Sequence, residues 1–194
     1  MKNNAAGNPF RVSQLESVSW IPAPEPLDAV YQNWKDHHFR GQLVGRHGSG
    51  KTTLGLFLLD KAREDGYETL HLFANDTTAR SVAADWKRQI HRASENTCVL
   101  MDGLHVFLPW QRRRLIVSAK RILLTAHRPF WTIPQLVSLQ MTPTLLRSLV
   151  RELAGETGLE LLSDNAEEWL KRYHGNTREV LFRLYDLWST DSSR

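Results

Sequence analysis

The sequence predicts an α/β protein: a three-layer α/β/α core with about five mostly parallel strands, followed by a small helical lid. Three observations predict it. From residue 41, short apolar runs alternate with stretches of helical periodicity, the sequence form of a parallel sheet with crossover helices. The run over 97–101 is apolar throughout rather than alternating, as expected for a strand covered on both faces. After about residue 140 the strand signals stop, and only helix patterns with cap residues remain.

Residues 1–38 read as an N-terminal extension. Pro22, Pro24 and Pro26 disfavour helix there and predict an extended, Pro-rich strap. A short helix over 27–34 follows. Residues 42–44 form a first strand before a Gly-rich turn. Residues 51–65 predict a helix with Leu54, Phe57, Leu58 and Ala62 on one face, and Gly66 as its stop. Residues 69–74 predict a second strand. Asp76 or Thr77 caps a helix running to about Ala93. Residues 97–101 form the third strand, and Pro109 opens a helix to about Ala119. Residues 121–125 and 136–139 supply the fourth and fifth strands. Thr142 as N-cap and Pro143 at the first turn begin a helix expected to end near Gly155. Ser163 caps another, to about Tyr173. Asn176 caps the last, with Glu179 placed to complete a capping-box-like pair. The expected division is thus 1–38, a core over 39–140 and a helical lid over 141–194.

Composition narrows the class of molecule. The 194 residues are 41% apolar and 24% charged, which excludes disordered and collagen-like chains. Such a length buries roughly 70% of its unfolded surface and needs no metal or disulfide staple. Cys98 is the single cysteine, so no intrachain disulfide framework exists. No apolar run approaches the roughly 20 residues of a membrane helix, and residues 1–10 carry no apolar signal segment. The expectation is a cytoplasmic protein with no membrane partner. The net charge of +4 permits an anionic partner without demanding one.

One motif carries chemistry. Gly45, Arg46, His47, Gly48, Ser49, Gly50, Lys51 and Thr52 match G-x-x-x-x-G-K-[ST], the P-loop pattern, between an apolar strand and an amphipathic helix. The glycines let successive N–H groups turn inward toward phosphate oxygens, and the helix that starts there adds its N-terminal partial charge. Lys51 is expected to reach the β- and γ-phosphates, Thr52 to ligate Mg²⁺ and Thr53 to reach the α-phosphate. The apolar strand over 98–101 ends in Asp102, the Walker B form, which would hold the metal with Thr52. At the tip of the fourth strand, Thr125, His127 and Arg128 are all candidates for sensing the γ-phosphate. Arg178, near the start of the last helix, is suited by its fixed charge to reach phosphate oxygens.

These four elements, in this order, resemble the AAA+ class of P-loop ATPases and their signalling relatives, the STAND NTPases, over about residues 39–190. The resemblance implies Asp102 in the Walker B role, Thr125 as sensor 1 and Arg178, within Gly175-Asn176-Thr177-Arg178, as sensor 2. It implies Mg-ATP bound between core and lid, and a sensor strand between the P-loop and Walker B strands. Two departures stand out. Gly103 occupies the place where many members carry the glutamate that activates water; Asp76 is a substitute base or simply a helix cap. The segment 129–135 is too short for the usual helix that bears an arginine finger. The expected function is therefore an ATP-binding protein, a small AAA+-like ATPase or nucleotide-dependent switch. The alternatives are a non-hydrolysing nucleotide-binding regulator and a P-loop kinase of small molecules or nucleotides. A kinase would place the Walker B strand directly beside the P-loop strand.

Lesser features weigh less. Arg112, Arg113 and Arg114 form a basic cluster that reads as a solvated helix face more readily than as a nucleic-acid surface. A protein partner or self-association is the stronger expectation. The seven tryptophans are dispersed and suit packing. His37 and His38, or Asp102 with His105, are too sparse for a metal site of their own. Cys98, inside an apolar run, reads as a buried small hydrophobe.

Overall fold

A computed structural model describes residues 7–11, 25–75, 77, 79–162 and 165–191. Pro22, Pro24, Asp76 and Ser163 lie outside the described residues, and so do the strap, substitute-base and cap expectations that rest on them. The chain divides into an α/β unit (24–45 and 50–139) and a helical unit (1–23, 46–49 and 140–194).

The α/β unit runs α1 (Leu27–Asp36), β1 (Arg40–Gly45), α2 (Lys51–Glu64), β2 (Glu68–Phe73), α3 (Ala79–Arg92), β3 (Thr97–Asp102), α4 (Pro109–Ser118), β4 (Arg121–Ala126) and β5 (Gln135–Leu139). Its five strands form one sheet in the order β2-β3-β4-β1-β5, and every pairing is parallel. β3 is buried at all six positions and β4 at its last five, which is why their sequences read as unbroken apolar runs. Alternate side chains split between two helical layers. Val99, Met101, Ile122 and Leu124 pack with Trp86, Ile90, Leu115 and Ile116 of α3 and α4. Leu100 faces the other way, and a Cβ on Gly55 of α2 would meet it at 3.0 Å. The same alternation sends Asp102 and Thr125 toward the layer that holds α2.

Residues 27–36 belong with this unit rather than with an extension. The reason is burial: Val30, Tyr31 and Trp34 of α1 are in the core, and the indole Nε1 of Trp34 donates to the Ile122 carbonyl at 3.0 Å. α1 ends in a Schellman arrangement, with the Phe39 amide on the Trp34 carbonyl and the His38 amide on that of Lys35, both at 2.8 Å. Gln42 is buried in β1. Its amide donates to the carbonyls of Phe130 and Ile133 and accepts from the Phe130 amide at 2.8 Å, pinning the short link between β4 and β5. Cys98 is fully buried in β3, where desolvation pushes its thiol pKa up to about 12.

The helical unit contains α5 (Pro143–Leu162), α6 (Ala166–Arg172) and α7 (Thr177–Asp191). Thr142 caps α5 as expected, its hydroxyl accepting from the Leu145 amide at 3.2 Å. Thr142→Ala should therefore lower stability by about 1 kcal/mol in urea unfolding. Gly155, the expected stop, is instead a kink with φ 61° and ψ −151°, and helix resumes to Leu162. Leu159 and Leu162 continue the apolar stripe into the unit's own core, so packing carries the helix past the break. That core also takes Phe10, whose ring lies edge-on to Trp188 at 5.9 Å. Among the described residues, no helix is long and apolar enough to cross a membrane.

Candidate functional site

The carboxyl ends of β1, β3 and β4 bring the α/β unit's site residues together. β1 ends at Gly45, and α2 begins at Lys51 with Gly50 as an N-cap that offers no side-chain acceptor. The opening amides of α2 are thus left to whatever binds in front of them. Gly50 has φ +86° and Gly48 φ +70°, left-handed values that a side chain would strain.

Lys51 is 8% exposed, and its Nζ donates to the Gly45 carbonyl at 2.9 Å. Burial lowers its pKa from the ordinary lysine value, while the Asp102 charge opposes that shift. The Thr52 hydroxyl donates to Asp102 Oδ2 at 2.7 Å, and the Thr125 hydroxyl donates to Oδ1 of the same carboxylate. Asp102 is 7% exposed, so both of its oxygens are engaged in a nearly dry setting. The pairing follows from register: Met101 lies opposite Leu124, and one step further along both strands are Asp102 and Thr125.

The three residues considered as phosphate sensors separate here. Thr125 is buried and holds Asp102, whereas Arg128 is exposed. His127 Nδ1–H donates to the Gly45 carbonyl at 3.1 Å, sharing that acceptor with Lys51, and its ring lies edge-on to His105 at 5.2 Å. Sequence reasoning missed both the Thr125–Asp102 bond and the His105–His127 contact. Each depends on strand register and loop path, for which the residues alone give no signal.

Gly103 follows Asp102 with φ +91°, and a Cβ there would sit 1.9 Å from the Ala74 carbonyl oxygen. No side chain fits at that position, so the missing glutamate reflects the path of the backbone. The basic cluster is not one surface either. Arg112 turns back to the carbonyls of Phe107 and His105, both at 2.6 Å, while Arg114 lies 5.3 Å over the Trp110 ring.

The outer turn of the Gly-rich loop, residues 46–49, belongs to the helical unit. There Arg46 Nη1 donates to the His174 carbonyl at 3.0 Å, and His47 is exposed. A Cβ on Gly48 would meet Asn176 Oδ1 at 2.4 Å and the amides of Thr177 and Arg178 at 3.0 and 3.1 Å. Asn176 does not make the expected side-chain cap: its Oδ1 is turned against Gly48 and has no hydrogen-bond partner. Ser49 Oγ and Thr177 Oγ1 are buried without partners as well. Orphaned buried oxygens are uncommon and suit a polar ligand. The Arg178 side chain is exposed at the second position of α7, and Thr53 is exposed at the third position of α2.

The donor set suits Mg²⁺ bound through one hydroxyl, one carboxylate, phosphates and water better than an all-protein metal cage. Among the described residues, no group of three or more His, Cys, Asp or Glu is arranged to hold a metal. In comparisons with family models and with curated proteins, nothing matches this chain.

Proposed function

We propose that the protein binds Mg-ATP at residues 45–53 and works as a small AAA+-like ATPase or ATP-dependent switch. The observation that carries this reading is the 2.7 Å bond between the Thr52 hydroxyl and the Asp102 carboxylate, directly behind a G-x-x-x-x-G-K-T loop. A hydroxyl and a buried carboxylate held together at that point form the protein's share of a magnesium site. The strand order supports the reading over that of a kinase, since β4 lies between β1 and β3. The cytoplasm, where Mg-ATP is plentiful, is the compartment that goes with it.

Each residue then has a role. The loop and α2 amides accept phosphate oxygens, and Lys51 neutralises phosphate charge in a partly desolvated setting where each charge counts for more. Mg²⁺, when bound, would offset charge on the β- and γ-phosphates. Thr52 and Asp102 would hold it, with Thr125 fixing the Asp102 rotamer. His127, hydrogen-bonded to the Gly45 carbonyl, is our candidate for responding to the γ-phosphate, with Thr125 acting through Asp102. Arg178 is the helical unit's candidate for reporting nucleotide.

A second reading, binding with little turnover, is favoured by Gly103, where the backbone excludes a catalytic carboxylate. Two assays test both readings: thermal stabilisation by ATP, ADP and GTP with Mg²⁺, and phosphate release. Asp102→Asn is expected to weaken ATP binding about tenfold in Mg²⁺ and hardly at all in EDTA. Equal loss in both buffers would contradict the metal assignment. Phosphate release that Asp102→Asn abolishes would decide for the ATPase over the silent switch.

A further inference from the structure

The opposite end of the sheet carries a second cluster of chemistry. Lys35, His38, Phe39, Lys120 and Arg121 line a cleft of about 340 Å³ where β1 and β4 begin. It lies about 17 Å from the Gly-rich loop, the length of the six-residue strand β1. Every polar lining side chain is a nitrogen donor: two ammonium groups, a guanidinium and an imidazole. Asp65 and Glu95 bring carboxylates up to two of these cations. The volume falls in the range of small-ligand sites and exceeds what one phosphate fills.

The cations are held in place but not used up. Lys35 pairs with Asp65 at 2.9 Å, and Lys120 pairs with Glu95. Both pairs are solvent-exposed, with Glu95 at 82% and Asp65 at 41%, so water screens each and it yields readily to a multivalent anion. Arg121 is set more firmly. Its guanidinium lies 5.2 Å from the Tyr67 ring and 6.0 Å from that of Phe39, and Nη1 donates to the Glu95 carbonyl. One donation leaves its other N–H groups for a ligand. Arg40 braces the wall behind, donating to the carbonyls of Ile116, Ala119 and Lys120.

The backbone adds an independent observation. His38 and Phe39 are consecutive non-glycine residues in the left-handed region, with φ of 53° and 58°. His38 occupies the position of the helix-ending Schellman turn where glycine is the usual residue, and α2 ends in the equivalent turn with Gly66. A side chain there strains the backbone. The imidazole is exposed and lines the cleft. Strain retained beside a cluster of donors argues for a task at that position.

We propose that this cleft binds a small phosphate-bearing anion, of diphosphate size, at a site separate from the Gly-rich loop. Lys35, Lys120 and Arg121 supply charge and His38 supplies a directed N–H. The test is calorimetric titration with sodium pyrophosphate at fixed ionic strength, in a Lys51→Ala background that disables the Gly-rich loop. Saturable binding is expected there, and Lys35→Gln with Lys120→Gln should weaken it at least about tenfold. Both lysine side chains reach solvent, so this variant is expected to fold, and its melting curve checks that. His38→Gly should melt higher while binding pyrophosphate more weakly, a split that a purely structural histidine does not produce. Arg113→Gln, an exposed cation outside the cleft, should leave the affinity unchanged. The proposal is overturned by absence of saturable binding, by unaltered affinity in either cleft variant, or by equal loss in Arg113→Gln.

Discussion

A Lys51→Ala protein is expected to lose all stabilisation by Mg-ATP, whereas the wild type should gain about 2.7 kcal/mol at a ligand concentration one hundred times Kd. The reason is that Lys51 places an ammonium at the loop, fixed by the Gly45 carbonyl at 2.9 Å and largely shielded from water. The unliganded protein should behave in the opposite sense. Burial disfavours the charged lysine, so Lys51→Met, which keeps the volume, should raise unliganded stability by about 1 kcal/mol. The pH dependence has a definite sign. The folded-state pKa lies below the ordinary value of 10.5, so the unfolded chain binds more protons between the two. The penalty is full below the lowered folded-state pKa and fades as pH rises toward 10.5. The advantage of Lys51→Met should shrink over that alkaline window. Urea midpoints at several pH values, with and without Mg-ATP, measure both effects. Stabilisation by ATP that survives in Lys51→Ala would remove the site assignment.

Gly103→Ala is expected to destabilise the protein by about 3 kcal/mol or more. The new Cβ would lie 1.9 Å from the Ala74 carbonyl oxygen, at a residue with φ +91°. The obstacle is backbone, tied to β3 by the Ala74 amide on the Asp102 carbonyl at 2.9 Å, so it has little room to move. For the same reason Gly103→Glu should lower the yield of folded protein rather than restore a water-activating carboxylate. Urea unfolding of Gly103→Ala checks this directly, and a midpoint near that of the wild type would contradict the left-handed geometry at Gly103.

These two residues also mark what a reader of the sequence can and cannot see. Lys51 and Asp102 were legible because each belongs to a pattern set by local chemistry, a Gly-rich turn before a helix and an acid at the end of an apolar run. Strands β3 and β4 were legible because burial on both faces leaves their middles apolar. The significance of Gly103 was hidden, since the atom that forbids a side chain belongs to Ala74, distant in sequence. The Thr125–Asp102 bond was hidden likewise, because it exists only once β3 and β4 are in register. Gly155 was over-read: a positive φ usually ends a helix, but the apolar side chains beyond it had a core to enter. Asn176 has the sequence position of a cap, but tertiary packing sets its side chain against Gly48. The strained His38–Phe39 pair had no sequence signal at all.

Cys98 gives the molecule a built-in clock. It is the chain's single thiol, it is fully buried in the middle of the sheet, and its pKa near 12 keeps thiolate scarce at neutral pH. An alkylating reagent can therefore modify the native protein only as fast as the sheet opens around β3. Labelling at this one atom turns the opening of the α/β unit into a mass shift that can be counted over time. Any ligand of that unit, at either end of its strands, should slow the clock in proportion to its occupancy.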